Sequence, residues 1–171
     1  MNWILETENL QLREMVQDDF EPLYEFLSDP ETMSFYPAPY TKSGVQEYID
    51  KNIDRYLSIG CGLWSIILKS SHKLIGDCGI TIQHIDGVDE YEIGYHLNKK
   101  YWGNSYATET AKAVKKYGFN TLGMNKLCSY MATDHWQSRM VAERNGMTIE
   151  KKFIILKTEI FEQLYIQSIS K

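Results

Sequence analysis

Residues 92–114 read EIGYHLNKKYWGNSYATETAKAV, and within this stretch the spacing of the apolar side chains changes. Up to Leu97 the side chains alternate with a period of two, which predicts a β-strand over about residues 89–97. One face of this strand carries Glu90, Glu92, Gly94 and His96. After Lys100 the period becomes 3.6, which predicts a helix that ends near Gly118. The stretch is therefore a strand that passes through a short connection into a helix.

The start of this helix is a candidate anion site. The first N–H groups of a helix have no partner within it and lie at the positive end of its dipole. Gly103 lets the backbone approach an anion closely, and the small Ala107 leaves room beside it. These features predict a phosphate site over residues 103–108. In the alternative interpretation, Asn104 or Ser105 simply caps the helix.

The same reasoning predicts the elements on either side. Strands are expected at residues 10–13 and at about 63–69, 74–82, 126–132, 149–156 and 158–168, with Asp86-Gly87 as a turn. Helices are expected from Asp18 to Leu27, from about Val45 to Gly60, and from Asp134 to Asn145-Gly146, with Asp18 and Asp134 as capping residues. This order fits an α+β domain with a mixed sheet and does not fit a doubly wound Rossmann fold.

Composition and charge exclude several classes of protein. The chain has 171 residues, with 18 Lys+Arg against 23 Asp+Glu, a formal net charge of −5. We expect one domain over residues 1–171, no nucleic-acid partner and no membrane partner, because no Lys/Arg run exceeds two residues and no apolar run approaches roughly 18 residues. The three cysteines are odd in number and widely spaced, and the four histidines lack metal-ligand spacing. These features predict a cytoplasmic protein with reduced thiols and no metal.

Three separate stretches together resemble a known family. They are residues 92–114, residues 132–147 (ATDHWQSRMVAERNGM) and residues 5–33 (LETENLQLREMVQDDFEPLYEFLSDPETM). In their order along the chain they are similar to the GCN5-related N-acetyltransferase (GNAT) superfamily, specifically its ribosomal-protein-alanine-acetyltransferase-like (RimJ/RimL-like) branch. The resemblance covers roughly residues 5 to 153. It implies the single-domain acyl-CoA N-acyltransferase fold, a mixed and mostly antiparallel sheet flanked by helices.

The resemblance implies acetyl-CoA as co-substrate and a set of residues that contact it. The pyrophosphate would lie on the amides of Gly103, Asn104, Ser105, Tyr106, Ala107 and Thr108. Backbone groups near His96, Leu97 and Asn98 would bind the thioester carbonyl and the pantetheine arm, and His135 and Ser138 would also contact that arm.

Two positions depart from the family pattern. Ser105 stands where the family has its middle glycine, and His135 stands where the family commonly has asparagine. Ser105 would either crowd a phosphate or adopt a negative φ and donate its hydroxyl to that phosphate.

The implied reaction transfers an acetyl group to a primary amine by direct attack in a ternary complex. Only the neutral amine attacks, so a proton acceptor is required. Glu92 matches the family's frequent carboxylate and could remove the proton through water, unless it pairs with a cation on a neighbouring strand. His96 is a second candidate base. Ser138 or a nearby tyrosine could protonate the leaving thiolate.

The acceptor is less well defined by the sequence. By analogy with the family, the loop 33–40, which contains two prolines, forms one wall of the acceptor site through Phe35, Tyr36 and Tyr40. The tyrosines could instead simply pack the loop. The branch favours a protein N-terminal amine, and similar chains acetylate small amines. A net charge of −5 suits a cationic acceptor such as a basic ribosomal protein or a diamine. Analogy also makes a homodimer plausible.

The alternative to an enzyme is a catalytically degenerate GNAT-like module. Such a module would bind CoA or join a complex without turnover, and Ser105 and His135 are the departures that motivate it. Glu92 argues against it, because a binding module has no need of a base.

Overall fold

The computed structural model describes residues 2–85, 87–157 and 160–171, without the side chains of 85, 153–157 and 160–167. Its strands are β1 Leu5–Glu6, β2 Leu10–Arg13, β3 Leu63–Leu68, β4 Lys73–Ile85, β5 Val88–Leu97, β6 Lys126–Ala132, β7 Thr148–Lys157 and β8 Ile160–Ser170. Its α-helices are α1 Phe20–Leu27, α2 Lys42–Ile59, α3 Tyr106–Asn120 and α4 Trp136–Arg144. The strands form one sheet in the order β1-β2-β3-β4-β5-β6-β8-β7. The expected α+β fold with a mixed, mostly antiparallel sheet is confirmed.

Helices cover both faces of this sheet. On one face, α3 packs on the central strands, so that its Ala111 and Val114 are buried against residues such as Ile80 and Ile93. On the other face, α1 and α2 enclose a second core that includes Leu23 and Phe26. Burial on both faces explains why β3 is apolar except for Ser65 rather than alternating, since all six of its residues are buried.

Three details of the sequence prediction are wrong. Asp18 does not cap α1. A 3₁₀ turn over residues 17–19 precedes that helix, and the buried acidic residue of this turn is Asp19. Asp134 does not cap α4, which has His135 at the capping position without a side-chain cap bond.

Gly118 does not end α3, which continues to Asn120. A Cβ at Gly118 would lie 2.9 Å from the Ile80 side chain, so this glycine serves the close contact between helix and sheet.

Two further parts of the prediction fall partly or wholly outside the described residues. They are Asp86 of the predicted turn and residues 158–159 of the last predicted strand. The short strand β1 was not predicted, because two residues are too few to show a period.

The central strands β5 and β6 run parallel and separate after a single residue pair. Glu92 pairs with Cys128, and the Ser129 hydroxyl donates to the Ile93 carbonyl at 2.8 Å. By contrast, β5 pairs with β4 over its whole length, from Val88 to Leu97. The separation leaves the last residues of β5 open toward α4.

A membrane span is not found in the described ranges 2–85, 87–157 and 160–171. None of their helices has both the length and the apolar character to cross a bilayer.

The approach of β4 to the residues before β3 depends on Gly79. A Cβ at this position would lie 1.9 Å from the Gly62 carbonyl oxygen, which accepts a hydrogen bond from the Ile80 N–H at 3.1 Å. Backbone atoms cannot yield as a flexible side chain does, so any larger residue must displace the strand.

We expect Gly79→Ala to lower the free energy of unfolding by about 3 kcal/mol, the upper end of the usual cost of overpacking. Gly123→Ala is the control, because its Cβ meets nothing within 4 Å and only its φ of +70° is unfavourable, which costs roughly 1 kcal/mol. Urea denaturation measures both. Equal losses in the two variants would show that the Gly62 contact relaxes freely.

Candidate functional site

A cavity of about 490 Å³ lies between α2, the loop before it and the open end of β5. Seven residues predicted from the sequence line it: Phe35, Tyr36, Tyr40, Glu92, His96, His135 and Ser138. Lining residues that sequence reasoning missed include Tyr48, Lys51, Arg55, Thr81, Gln83 and Tyr95. The other predicted residues, Leu97, Asn98 and 103–108, do not line this cavity and lie from the end of β5 to the first turn of α3.

Glu92 is a buried carboxylate in this cavity, with 9% of its surface exposed. Burial raises the pKa of Glu92 to about 7, although hydrogen bonds from Gln83 and the Tyr130 backbone act in the opposite direction. The expected alternative, a cross-strand ion pair, is wrong for the described residues. Lys126 on β6 instead pairs with Glu90 at 2.8 Å and with Glu150 at 2.9 Å. Glu92 is therefore a carboxylate that titrates near neutral pH.

His96 belongs to a hydrogen-bonded chain with Asp77 and Tyr48. Its Nδ1 lies 2.8 Å from Asp77 Oδ1, and the Tyr48 hydroxyl donates to Asp77 Oδ2 at 3.0 Å. Asp77 is fully buried. The Nε2 of His96 is buried and has no hydrogen-bond partner among the described residues. Burial lowers the pKa of His96, but the charge and hydrogen bond of Asp77 outweigh this effect and leave the pKa above its ordinary value.

Asp77 and Tyr48 were not recognised from the sequence. Asp77 stands in the apolar strand pattern of β4, and Tyr48 has the spacing of an apolar helix position. Only the β4–β5 register, which pairs Asp77 with His96, shows that the two side chains share a face. An isolated aspartate in an otherwise apolar strand is the signal that could have found it.

Ser138 contacts Tyr95 across the gap between β5 and α4. The Tyr95 hydroxyl lies 2.9 Å from both the carbonyl oxygen and the Oγ of Ser138. Because the carbonyl only accepts, both contacts are satisfied when Tyr95 donates to it and the Ser138 hydroxyl donates to Tyr95. The sequence predicted Ser138 or a nearby tyrosine at this place, and the structure brings the two together.

The aromatic residues of loop 33–40 cover the cavity. Phe35 stacks on His135 with ring centroids 3.8 Å apart, and Tyr36 lies 5.2 Å from the His96 ring. Tyr40 meets Tyr48 edge-on at 5.5 Å. Burial lowers the pKa of His135 to about 4, so this ring is neutral at physiological pH. The loop therefore packs on the site residues themselves.

The first turn of α3 keeps its amides free of side-chain caps. Ser105 occupies the capping position without a side-chain cap bond, and the Asn104 amide donates backwards to the carbonyls of Tyr101 and Trp102, each at 3.1 Å. The simple capping interpretation is therefore wrong. Of the two alternatives for Ser105, the negative φ is also wrong, because its φ is +63°. Ser105 takes the left-handed conformation in which a glycine would be unstrained.

Backbone groups at the end of β5 are partly used within the protein. The Asn98 N–H donates to the Ile75 carbonyl at 2.9 Å, so it is not available for a pantetheine arm. The Leu97 carbonyl accepts from the Trp102 indole at 2.7 Å and keeps a second lone pair. The expectation for Asn98 is thus wrong as far as its N–H is concerned.

Metal binding finds no support in the described part of the chain. No three of its His, Cys, Asp and Glu side chains are grouped so as to hold an ion.

Comparison with known proteins identifies similar chains. Residues 9–148 match the family model described as the acetyltransferase (GNAT) domain. The uncharacterized N-acetyltransferase p20 of Bacillus licheniformis is 34% identical over 154 residues, which are 88% of this chain and 84% of p20.

Two solved structures show a similar fold. A GNAT-family acetyltransferase from Bacillus anthracis is 27% identical, with a TM-score of 0.83 and 96% of each chain covered. RimL, a ribosomal L7/L12 alpha-N-protein acetyltransferase in complex with coenzyme A, has a TM-score of 0.83 over 99% of this chain and 98% of its own. At 15% identity, the likeness to RimL concerns the fold.

We expect Ser105→Gly to raise the free energy of unfolding by about 0.5 to 1 kcal/mol. A left-handed φ costs a non-glycine residue roughly 1–2 kcal/mol, and the greater freedom of glycine in the unfolded chain removes about 0.5–1 kcal/mol of that gain. Urea denaturation measures the difference. Ser105→Ala is the control and should bring no gain, since alanine is strained in the same way; a gain equal to that of glycine would contradict the argument.

We expect the Glu92→Gln variant to gain stability over the wild type at pH 8, and to gain less at pH 5. The pKa of Glu92 is raised from 4.5 to about 7 in the folded state, so ionisation disfavours folding as pH rises through this window. The stability difference between variant and wild type should therefore be about 2.5 kcal/mol larger at pH 8 than at pH 5. Urea denaturation at both pH values measures it.

Glu90→Gln is the matched control for this effect. Glu90 lies on the same face of β5, but its side chain pairs with Lys126. A pH-dependent gain of equal size in both variants would show that it does not come from the burial of Glu92.

Proposed function

Because the chain belongs to the GNAT acetyltransferase family, we propose that it transfers the acetyl group of acetyl-CoA to a primary amine. The acceptor is a protein N-terminus or a small amine, and the amine attacks directly in a ternary complex. The observation that carries this proposal is Glu92, a buried carboxylate with a pKa of about 7 in a cavity at the open end of β5.

The first turn of α3 supports binding of the CoA pyrophosphate. The amides of residues 103–108 are free of side-chain caps, and a Cβ at Gly103 would meet nothing within 4 Å, so space remains above the backbone. Helix N-termini attract anions through these amides and the helix dipole. The separation of β5 from β6 leaves a slot for the pantetheine arm, which leads from the pyrophosphate to the cavity.

Glu92 is the group to which we assign the proton of the amine. An ammonium cannot attack, so its proton must leave first, and a base with a pKa near the working pH is the most effective acceptor. A pKa of about 7 meets this requirement. His96 suits the task less well, because Asp77 favours its protonated form.

The Tyr95–Ser138 pair supports the departure of the thiolate. As the new C–N bond forms, the C–S bond of the thioester breaks and the sulfur takes the electron pair. We assign Ser138 as the donor that protonates this sulfur; its hydroxyl, which donates to Tyr95 at 2.9 Å in the free protein, turns from Tyr95 to the sulfur. Glu92 takes the proton that the ammonium loses before attack and passes it to solvent. The nitrogen loses a second proton as the amide forms, and this proton returns through water to Ser138, which has given its own to the sulfur.

The test is a steady-state assay of CoA release from acetyl-CoA in the presence of primary amines. We expect Glu92→Gln to lower kcat about 10²- to 10³-fold, within the usual contribution of general base catalysis. In the wild type, kcat/KM should rise as pH increases through about 7, because Glu92 must lose its proton before it can act. The variant should lose that component of the pH profile.

The control is Glu90→Gln, which removes a carboxylate on the same strand face outside the cavity and should leave kcat unchanged. A Glu92→Gln enzyme with full kcat would show that the base is assigned wrongly. Binding of acetyl-CoA without transfer to any amine would favour the degenerate binding module instead.

A further inference from the structure

The cavity carries positive charge that the proposed reaction does not use. Lys51 and Arg55 stand one turn apart on α2, and both line the cavity. Within the described part of the chain, neither forms a salt bridge, whereas lysines elsewhere, such as Lys99 and Lys100, are paired with carboxylates. Arg55 has one long contact, 3.4 Å to the Asn52 side-chain oxygen. Two cations therefore face the cavity without an anionic partner.

Other ionisable groups of the cavity lie on the strands of the sheet. Glu92 and His96 are on β5, and Asp77, which is bound to His96, balances the charge of the protonated imidazole. Glu47 also lines the cavity, one turn before Lys51, so α2 contributes a net charge of +1 and the positive end lies toward Arg55. The helix side of the cavity thus carries positive charge, although the whole chain has a net charge of −5.

The sheet sets the spacing between the backbone that Asn52 binds, next to Arg55, and the strand that carries Glu92. Asn52, the contact of Arg55, accepts a hydrogen bond from the Leu63 N–H at 2.9 Å. Leu63 pairs with Gly79, and Gly79 pairs with Gly94, which stands between Glu92 and His96 on β5. Two strand spacings separate Leu63 from Gly94, which is about 10 Å. An extended peptide covers that distance with about three residues.

We propose that the acceptor is a primary amine that carries a carboxylate or a phosphate about 10 Å from its nitrogen. The amine lies at Glu92, and the anionic group lies on Lys51 and Arg55. This inference rests on the proposed acetyl transfer and narrows its acceptor. It also excludes a diamine of similar length, whose second ammonium would lie against the two cations.

Four amines with the same six-carbon chain test the inference: 6-aminohexanoate, 6-aminohexyl phosphate, 6-aminohexanol and 1,6-diaminohexane. We expect kcat/KM to be at least about tenfold higher for the two anionic amines than for the alcohol, and lowest for the diamine, since a charge-assisted hydrogen bond contributes this much or more. The ratio between the two anionic amines shows whether carboxylate or phosphate is the preferred group.

Lys51→Gln and Arg55→Gln locate the effect. Each should raise KM for the anionic amines about tenfold, leave their kcat unchanged, and leave both parameters for 6-aminohexanol unchanged. Lys42→Gln is the matched control, because Lys42 is on the same helix but lies over the Tyr24 ring, outside the cavity. Lys51 is exposed and Arg55 is half-buried, so both variants should keep the wild-type Tm.

The two levels of the proposal fail in different ways. Acetylation of all four amines with equal kcat/KM, unaffected by Lys51→Gln and Arg55→Gln, would overturn the anionic acceptor and leave acetyl transfer intact. Acetylation of a peptide N-terminus but of none of the four amines would overturn this inference alone. Acetyl-CoA binding, measured by calorimetry, with no acetylation of the four amines or of a peptide N-terminus would overturn the proposed function and this inference with it.

Discussion

The separation of two parallel strands in the middle of the sheet is the constraint on which the rest of this structure depends. β5 and β6 share one residue pair, Glu92 with Cys128, and then diverge. A sheet interior normally satisfies its backbone groups through the next strand. Here the gap is bordered by side chains instead, with Tyr95 reaching across to Ser138 on α4 and Ser129 donating to the Ile93 carbonyl. The cavity exists because these contacts replace a regular ladder of hydrogen bonds.

Burial at this gap gives the acidic and basic groups their chemistry. Glu92 is taken out of water, so its ionised form is disfavoured and its pKa rises to about 7, although the hydrogen bond from Thr81 acts in the opposite direction. His96 is equally buried, but the buried carboxylate of Asp77 favours its protonated form. The pKa values of two groups four residues apart on one strand are therefore raised for different reasons. One shift comes from lost hydration, and the other comes from a specific charge.

The backbone is also strained at one position where the family pattern has a glycine. Ser105 has a φ of +63° at the residue before α3, where glycine would be relaxed. The start of α3 is nevertheless held in place by the segment between β1 and β2. The Glu109 carboxylate accepts hydrogen bonds from the Asn9 backbone at 2.9 Å and from the Asn9 side chain at 3.0 Å. The first-turn amides are thus positioned by contacts with the β1–β2 hairpin and do not depend on a side-chain cap.

The sequence by itself determined the order of the main elements, the strand-to-helix junction and the placing of Glu92 and His96 on one face. These features follow from local periodicity, which residues close in the chain express directly. The tertiary structure decided that Asp77 and Tyr48 meet His96, that Lys51 and Arg55 share a cavity with Glu92, and that Ser105 is left-handed. Each of these depends on strand register or on helix placement between residues far apart in the chain, and burial, which sets the pKa of Glu92, is a property of the whole fold.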